Sequence, residues 1–204
     1  MRNVDHTATQ TLDTSGNGRH VTVAGATKLT NKRGYYLDGG DYMTGPINGS
    51  LNATGITLAC EFTANFAQVS AGNKVLWDTT AASRYVGAML STGDWWMQMA
   101  STTIGVTITA ATIAPYWRIS ASNIIVISSK SGKTNVYLNE GRVGTDIATA
   151  WTPKDPANMW IGSNYTLSEN WIGNITRFAC WNTYLNAMQV REVMNAWQMK
   201  ASEV

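Results

Sequence analysis

The strongest constraint in this sequence is a two-residue alternation of apolar and polar side chains that recurs along the chain. Ile56, Leu58, Cys60 and Phe62 alternate with Thr57, Ala59, Glu61 and Thr63. Ile104, Val106 and Ile108 alternate with Gly105, Thr107 and Thr109, and Val136 and Leu138 with Asn135, Tyr137 and Asn139. Phe178 and Cys180 alternate with Arg177, Ala179 and Trp181. Successive side chains of a strand point to opposite faces, so this period predicts strands with one face in a core. Ile124 to Ile127 is apolar on both faces and predicts a central strand. Glycine-containing turns punctuate these runs: Ser15-Gly16-Asn17-Gly18, Asp38-Gly39-Gly40-Asp41, Asn48-Gly49, Ser91 to Asp94, Lys130 to Lys133 and Asn139 to Gly141. Many short strands with closely spaced turns predict an all-β sandwich or barrel. No Gly- or Pro-rich linker or internal repeat divides the 204 residues, so one domain is expected. A hydrophobic share of 44% with only 14% charged residues excludes a disordered chain.

One helix is expected near the C-terminus, at about 186–199. Asn186 is a suitable N-cap, and Leu185, Met188, Val193 and Trp197 follow an approximately helical spacing, with Met194 and Met199 beside them. The simplest expectation is a helix packed across one end of the sandwich. The alternative is a docking surface of Met188, Met194 and Trp197 for a neighbouring protein.

Charge argues against nucleic acid as a partner. The formal net charge is +2, and the densest basic stretch, Lys28 to Arg33, holds three cations, whereas phosphate recognition calls for a basic stripe. No 18-residue apolar run predicts a membrane span. The polar opening MRNVDHTATQ lacks the apolar segment of a secretory signal, so no signal peptide is expected. The Asn-x-Ser/Thr sites at Asn48, Asn52, Asn164 and Asn174 carry little weight without such a route. Cys60 and Cys180 form no metal-binding spacing, so neither zinc nor a disulfide framework is expected.

Several segments, in order, resemble the laminin-G-like, concanavalin-A-like jelly-roll superfamily. They are DTSGNGRHVTVAGAT from Asp13, GYYLDGGDYMTG from Gly34, GITLACEFT from Gly55, TNVYLNEGRVGT from Thr134, MWIGSN from Met159, and WIGNITRFACWNTYLNAMQV ending at Val190. The resemblance implies a two-sheet antiparallel jelly-roll sandwich over residues 13–204, including the C-terminal helix, with an N-terminal arm at 1–12. In such sandwiches the strands carrying Glu61 and Arg177 are neighbours, which implies a cross-strand ion pair. It also puts Cys60 and Cys180 on the inward face of both strands, where a reduced pair is expected. The family often has Trp at the position of Glu61 and Asp-Glu at Thr176-Arg177, so these positions depart from the pattern.

Some members of the superfamily are glycosidases, which need two carboxyls flanking one bond. No strand here carries acids at i, i+2 or i, i+4, and His6 and His20 lie before the first confident strand. A non-enzymatic role is therefore expected, with no cofactor. Some relatives hold calcium, which makes Asp38 and Asp41 the metal alternative. Their Gly-Gly setting favours turn formation, and calcium takes six to eight oxygens.

Aromatic residues are the remaining binding candidates. Nine Trp are present. In Asp94-Trp95-Trp96-Met97-Gln98-Met99-Ala100, a core face of Trp95, Met97 and Met99 leaves Trp96 and Gln98 pointing outward. Tyr165 and Trp151 are expected at a rim. Two functional expectations follow. The first is a phage virion surface component, a capsid decoration or tail accessory made in the host cytoplasm. It would bind viral capsid or tail proteins, as a homo-oligomer, through the arm and the helix. The second is a glycan-binding, lectin-like module that uses an exposed aromatic on a concave sheet face.

Overall fold

The computed structural model describes residues 9–11, 13, 17–29, 34–80, 84–100, 105–148 and 151–201, the side chains of 199–201 apart. The first half of the chain contributes β1 (Gln10–Thr11), β2 (Val21–Ala24), β3 (Thr27–Lys28), β4 (Tyr35–Asp38) and β5 (Tyr42–Pro46). These are followed by β6 (Gly55–Ala64), β7 (Lys74–Thr79), β8 (Tyr85–Met89), β9 (Trp95–Met99), β10 (Gly105–Ile108) and the single turn α1 (Ala110–Ile113). The second half adds β11 (Ser122–Lys130), β12 (Lys133–Leu138), β13 (Gly141–Ile147), β14 (Asn158–Ile161), β15 (Ile172–Trp181) and α2 (Ala187–Ala201).

The strands form two sheets. One has eight strands in the order β1-β2-β5-β14-β7-β8-β9-β10, the other seven in the order β13-β12-β11-β6-β15-β4-β3. Every described ladder is antiparallel. This is the expected all-β sandwich with a short C-terminal helix. Of the arm expected at 1–12, only Thr9 to Thr11 lie within the described residues. Gln10 and Thr11 pair with Thr22 and Val21, adding a short strand to one sheet.

The alternation read from the sequence sorts residues between layers. Ile56, Leu58, Cys60, Phe62, Ile125, Ile127, Val136 and Leu138 face the other sheet's Leu76, Trp77, Met97 and Met159 in one core. Each large aliphatic side chain buried there stabilises the fold by roughly 1.5–3 kcal/mol. Gly87 makes this packing possible, because a Cβ there would sit 2.5 Å from the Trp77 ring. Tyr85, fully buried, donates its hydroxyl to the Leu51 carbonyl at 2.9 Å and accepts the Lys154 amide at 3.2 Å. Burial pushes its phenol up to about 12. Cys60 and Cys180 both face this core as free thiols, and burial raises both.

The segment Asp38-Gly39-Gly40-Asp41 does not close a hairpin. It carries the chain from β4 in one sheet to β5 in the other, with Gly39 at a φ of 104°. Both acids serve this corner: Asp41 Oδ2 accepts the Asp38 amide at 3.0 Å, and Asp38 Oδ1 accepts the Gly40 amide at 3.2 Å. Two carboxylates committed to turn hydrogen bonds do not fit a calcium site. Among the described residues, no group of three or more His, Cys, Asp or Glu side chains is placed to hold a metal.

The helix differs from expectation in position. It covers the outer face of the seven-stranded sheet rather than one end of the sandwich. Val190, Met194 and Leu185 are buried against Ala59, Ile124, Val126 and Tyr137, and Trp181, Val193 and Trp197 pack around them. Ile124 and Val126 therefore face the helix while Ile125 and Ile127 face the core, which explains a strand apolar on both sides. Asn186 caps the helix as expected, Oδ1 accepting the Met188 and Gln189 amides while the Gln189 side chain accepts the Asn186 amide. Two buried hydroxyls tether its start: Ser128 Oγ donates to the Leu185 carbonyl at 2.7 Å, and Thr57 Oγ1 to the Thr183 carbonyl at 2.8 Å. The docking trio is split by this packing. Met188 is 67% exposed, whereas Met194 is buried and Trp197 half-buried within the protein itself.

Candidate functional site

Beneath the helix, Glu61 and Arg177 are direct partners in the β6–β15 register, as their adjacency implied. Arg177 Nε lies 3.1 Å from Glu61 Oε2, with side chains only 16% and 4% exposed, so this pair is buried rather than superficial. Ser122 Oγ donates to Glu61 Oε1 at 3.0 Å, and Arg177 Nη1 donates to the Trp197 carbonyl at 3.0 Å. Each member of the pair thus has one further partner inside the fold, while Arg177 Nε and Glu61 Oε2 face each other as an ion pair without a well-aligned hydrogen bond.

The outer face of the eight-stranded sheet is built differently. Val75, Ala88 and Trp96 occupy one row across β7, β8 and β9. Val75, Val86 and Ala88 form a small apolar cluster on which the half-buried Trp96 packs. Trp95, Met97 and Met99 point into the core, so the outward direction of Trp96 is the one expected. Gly105 on the neighbouring strand leaves room for the indole, since a Cβ there would lie 2.1 Å from Nε1.

Trp96 does not stand alone. Arg84 Cζ lies 5.5 Å from the centroid of the Trp96 ring and 5.6 Å from that of Tyr165, so one guanidinium joins the two aromatic candidates. Asp78 holds that guanidinium. Arg84 Nε donates to Asp78 Oδ1 at 3.2 Å and Nη2 to Oδ2 at 3.1 Å, a two-point pair along one edge of the guanidinium. The Asp78 side chain is 0% exposed and that of Arg84 26%. Asp78 also accepts the Thr79 amide at 2.7 Å and the Tyr165 amide at 3.4 Å. Burial pushes the Asp78 carboxyl above its ordinary value, and Arg84 pulls it back.

The loop carrying Tyr165 is fixed by its own hydrogen bonds. Asn164 Oδ1 accepts the Ser168 amide at 2.8 Å, the Leu167 amide donates to the Asn164 carbonyl at 3.0 Å, and Asn73 Nδ2 donates to Glu169 Oε1 at 2.7 Å. The result is a platform of two half-buried rings and one anchored cation. It offers apolar ring faces for stacking and N–H donors for oxygen ligands.

The other candidates fall elsewhere. Gln98 shares the outer face with Trp96 but is only 3% exposed. Trp151, expected at a rim, is buried in the inter-sheet core, where its Nε1 donates to Ser129 Oγ at 2.9 Å. Arg84 and Asp78 escaped the sequence reading. The available signal was a single carboxylate inside the apolar run Val75-Leu76-Trp77-Asp78, which calls for a cationic partner.

No family model matches the sequence, and no curated protein matches it. The fold has many relatives among solved structures. A Trypanosoma rangeli sialidase in complex with 2,3-difluoro-KDN superposes with a TM-score of 0.68 at 15% identity, over 96% of this chain and 32% of the sialidase. The receptor binding domain of botulinum neurotoxin mosaic serotype C/D gives 0.68 at 15% identity, over 91% of this chain and 48% of that domain. A structure of botulinum neurotoxin type C, which enters cells in a manner dependent upon interaction with two ganglioside molecules, gives 0.68 at 12% identity over the same shares. The chain thus spans about a third of the sialidases and about half of the toxin chains it matches. At this identity the likeness is one of fold: the chain is a β-sandwich similar in fold to those in sialidases and toxin receptor-binding domains. These relatives overturn the expectation of a phage capsid or tail component, since they are carbohydrate-active and receptor-binding proteins rather than virion structural proteins.

Proposed function

We propose that the protein is a carbohydrate-binding module of lectin type, which holds a sugar on Trp96, Tyr165 and Arg84 without cleaving it. The observation that carries this reading is the joining of two half-buried aromatic rings by one anchored guanidinium on a sheet face. A sugar ring presents C–H faces that stack on aromatic surfaces and hydroxyls that accept from a guanidinium. Sialidases and a ganglioside-dependent toxin among the fold relatives support the reading in the same direction.

A glycan array followed by titration tests it. Wild-type protein binds at least one sugar class, and Trp96→Ala weakens that binding by at least about tenfold while unfolding stays cooperative. An array without signal at high protein concentration removes the reading. Release of the aglycone from fluorogenic glycosides by the pure protein removes its non-catalytic part.

A further inference from the structure

We infer that the platform selects neutral sugars bearing a vicinal pair of hydroxyls, with Arg84 as the residue that determines this preference. The inference rests on the carbohydrate-binding reading and deepens it. Asp78 occupies the Nε–Nη2 edge of the Arg84 guanidinium. Among the described residues, Nη1 makes no hydrogen bond and is not shut away as a buried unpaired atom. A guanidinium has five N–H donors in a rigid plane, so a second edge, formed by Nη1 and the other Nη2 hydrogen, remains for a ligand. Its two donors suit two acceptor oxygens held close together on one ligand. Both a sugar diol and a carboxylate supply such a pair.

Charge decides between them. The Asp78 carboxylate has no exposed surface and already balances the positive charge of Arg84. A ligand carboxylate on the free edge would place a second anion on the same guanidinium, across from a first that cannot reach water. Burial already raises Asp78, and a nearby anion raises it further, at the expense of the pair that fixes Arg84. Neutral hydroxyls accept the same two hydrogen bonds without this conflict. The Trp96 and Tyr165 rings beside the guanidinium supply stacking surface that is indifferent to ligand charge.

The buried pair on the opposite sheet sharpens the argument. Arg177 likewise pairs with an acid, and its Cζ lies 5.9 Å from the Trp197 ring, but its Nη1 donates to the Trp197 carbonyl. There Nη1 is used by the fold; at Arg84 it is left over.

The test titrates wild-type protein with methyl α-mannoside, methyl β-galactoside and sialyllactose at low and high salt, following Trp fluorescence or NMR shifts. At least one neutral glycoside binds with an affinity that salt does not change, and sialyllactose binds at least about tenfold more weakly. Arg84→Lys removes the planar donor edge and weakens the neutral sugar at least about tenfold. If that variant does not fold, the Asp78→Asn/Arg84→Gln double variant, which leaves no buried charge, is read instead with the same expectation. Tighter, salt-sensitive binding of sialyllactose overturns the inference while leaving the lectin reading intact. Unchanged affinity in the Arg84 variants, with loss only in Trp96→Ala, overturns the role of Arg84. Failure of all three sugars in wild type, with an empty array, overturns the lectin reading itself.

Discussion

The two outward faces of this sandwich carry the same chemical unit in opposite states. On the seven-stranded sheet, Glu61, Arg177 and Trp197 belong to the face that the helix covers, and Nη1 of the arginine donates to a main-chain carbonyl. On the eight-stranded sheet, Asp78, Arg84 and Trp96 form a similar acid, arginine and indole group without a covering helix, and the arginine keeps an unused edge. An acid–arginine pair beside a tryptophan therefore says nothing by itself about function. What separates scaffold from site is whether the arginine's outer Nη1 is taken by the fold under a covering helix or left facing outward.

The largest effect expected from breaking this contrast is at the covered pair. Arg177→Leu leaves the buried Glu61 without a countercharge and destabilises the protein by about 3–5 kcal/mol, whereas Glu61→Met/Arg177→Leu together recover most of that loss in urea titrations. A cost below about 1 kcal/mol for the single variant would mean that water reaches both faces equally.

A reference belonging to neither face comes next. Tyr85→Phe removes two hydrogen bonds from the inter-sheet core and costs about 1–2 kcal/mol. Its phenol is raised from 10.0 to about 12 in the folded protein, so the folded state holds that proton longer than the unfolded chain. The contribution is fully present below pH 10 and declines as pH rises toward 12. In alkaline unfolding curves, the variant shows a shallower fall over that window.

Smaller still is the helix cap. Asn186→Ala costs about 1 kcal/mol, or roughly 2–4 °C in a thermal melt, and leaves sugar binding unaltered because the cap serves the other face. Gly105→Ala is the converse. The added methyl meets the Trp96 indole rather than the core, so stability changes by less than about 1 kcal/mol while binding to the platform declines measurably. Equal binding by Gly105→Ala and wild type would separate Trp96 from the ligand.

Much of the architecture was legible because alternation is a local signal. The strand Gly55–Ala64 and the doubly apolar Ile124–Ile127 both fall where the period puts them. The position of the helix was not, because nothing in the alternate row Thr57, Ala59, Glu61 and Thr63 marks what lies above it. They are small or paired groups that leave room for a helix above them. The site was half legible. Trp96 follows from its strand, and Tyr165 from its loop. Arg84 and Asp78 are six residues apart, and Tyr165 reaches Asp78 from 87 residues away, so their meeting is a product of the fold. Trp151 was misplaced because nearby prolines look like a surface loop, while its indole is large enough to plug the core from one.

The late arrival of β15 has a consequence for biosynthesis. Ile172–Trp181 is the last strand, yet it lies between β6 and β4, which were made more than a hundred residues earlier. Until that segment leaves the ribosome, β4 and β6 expose unpaired edges to every other nascent chain nearby. The seven-stranded layer must therefore close as a late event, and a synthesis arrest upstream of Ile172 would yield an aggregation-prone fragment rather than a smaller folded unit.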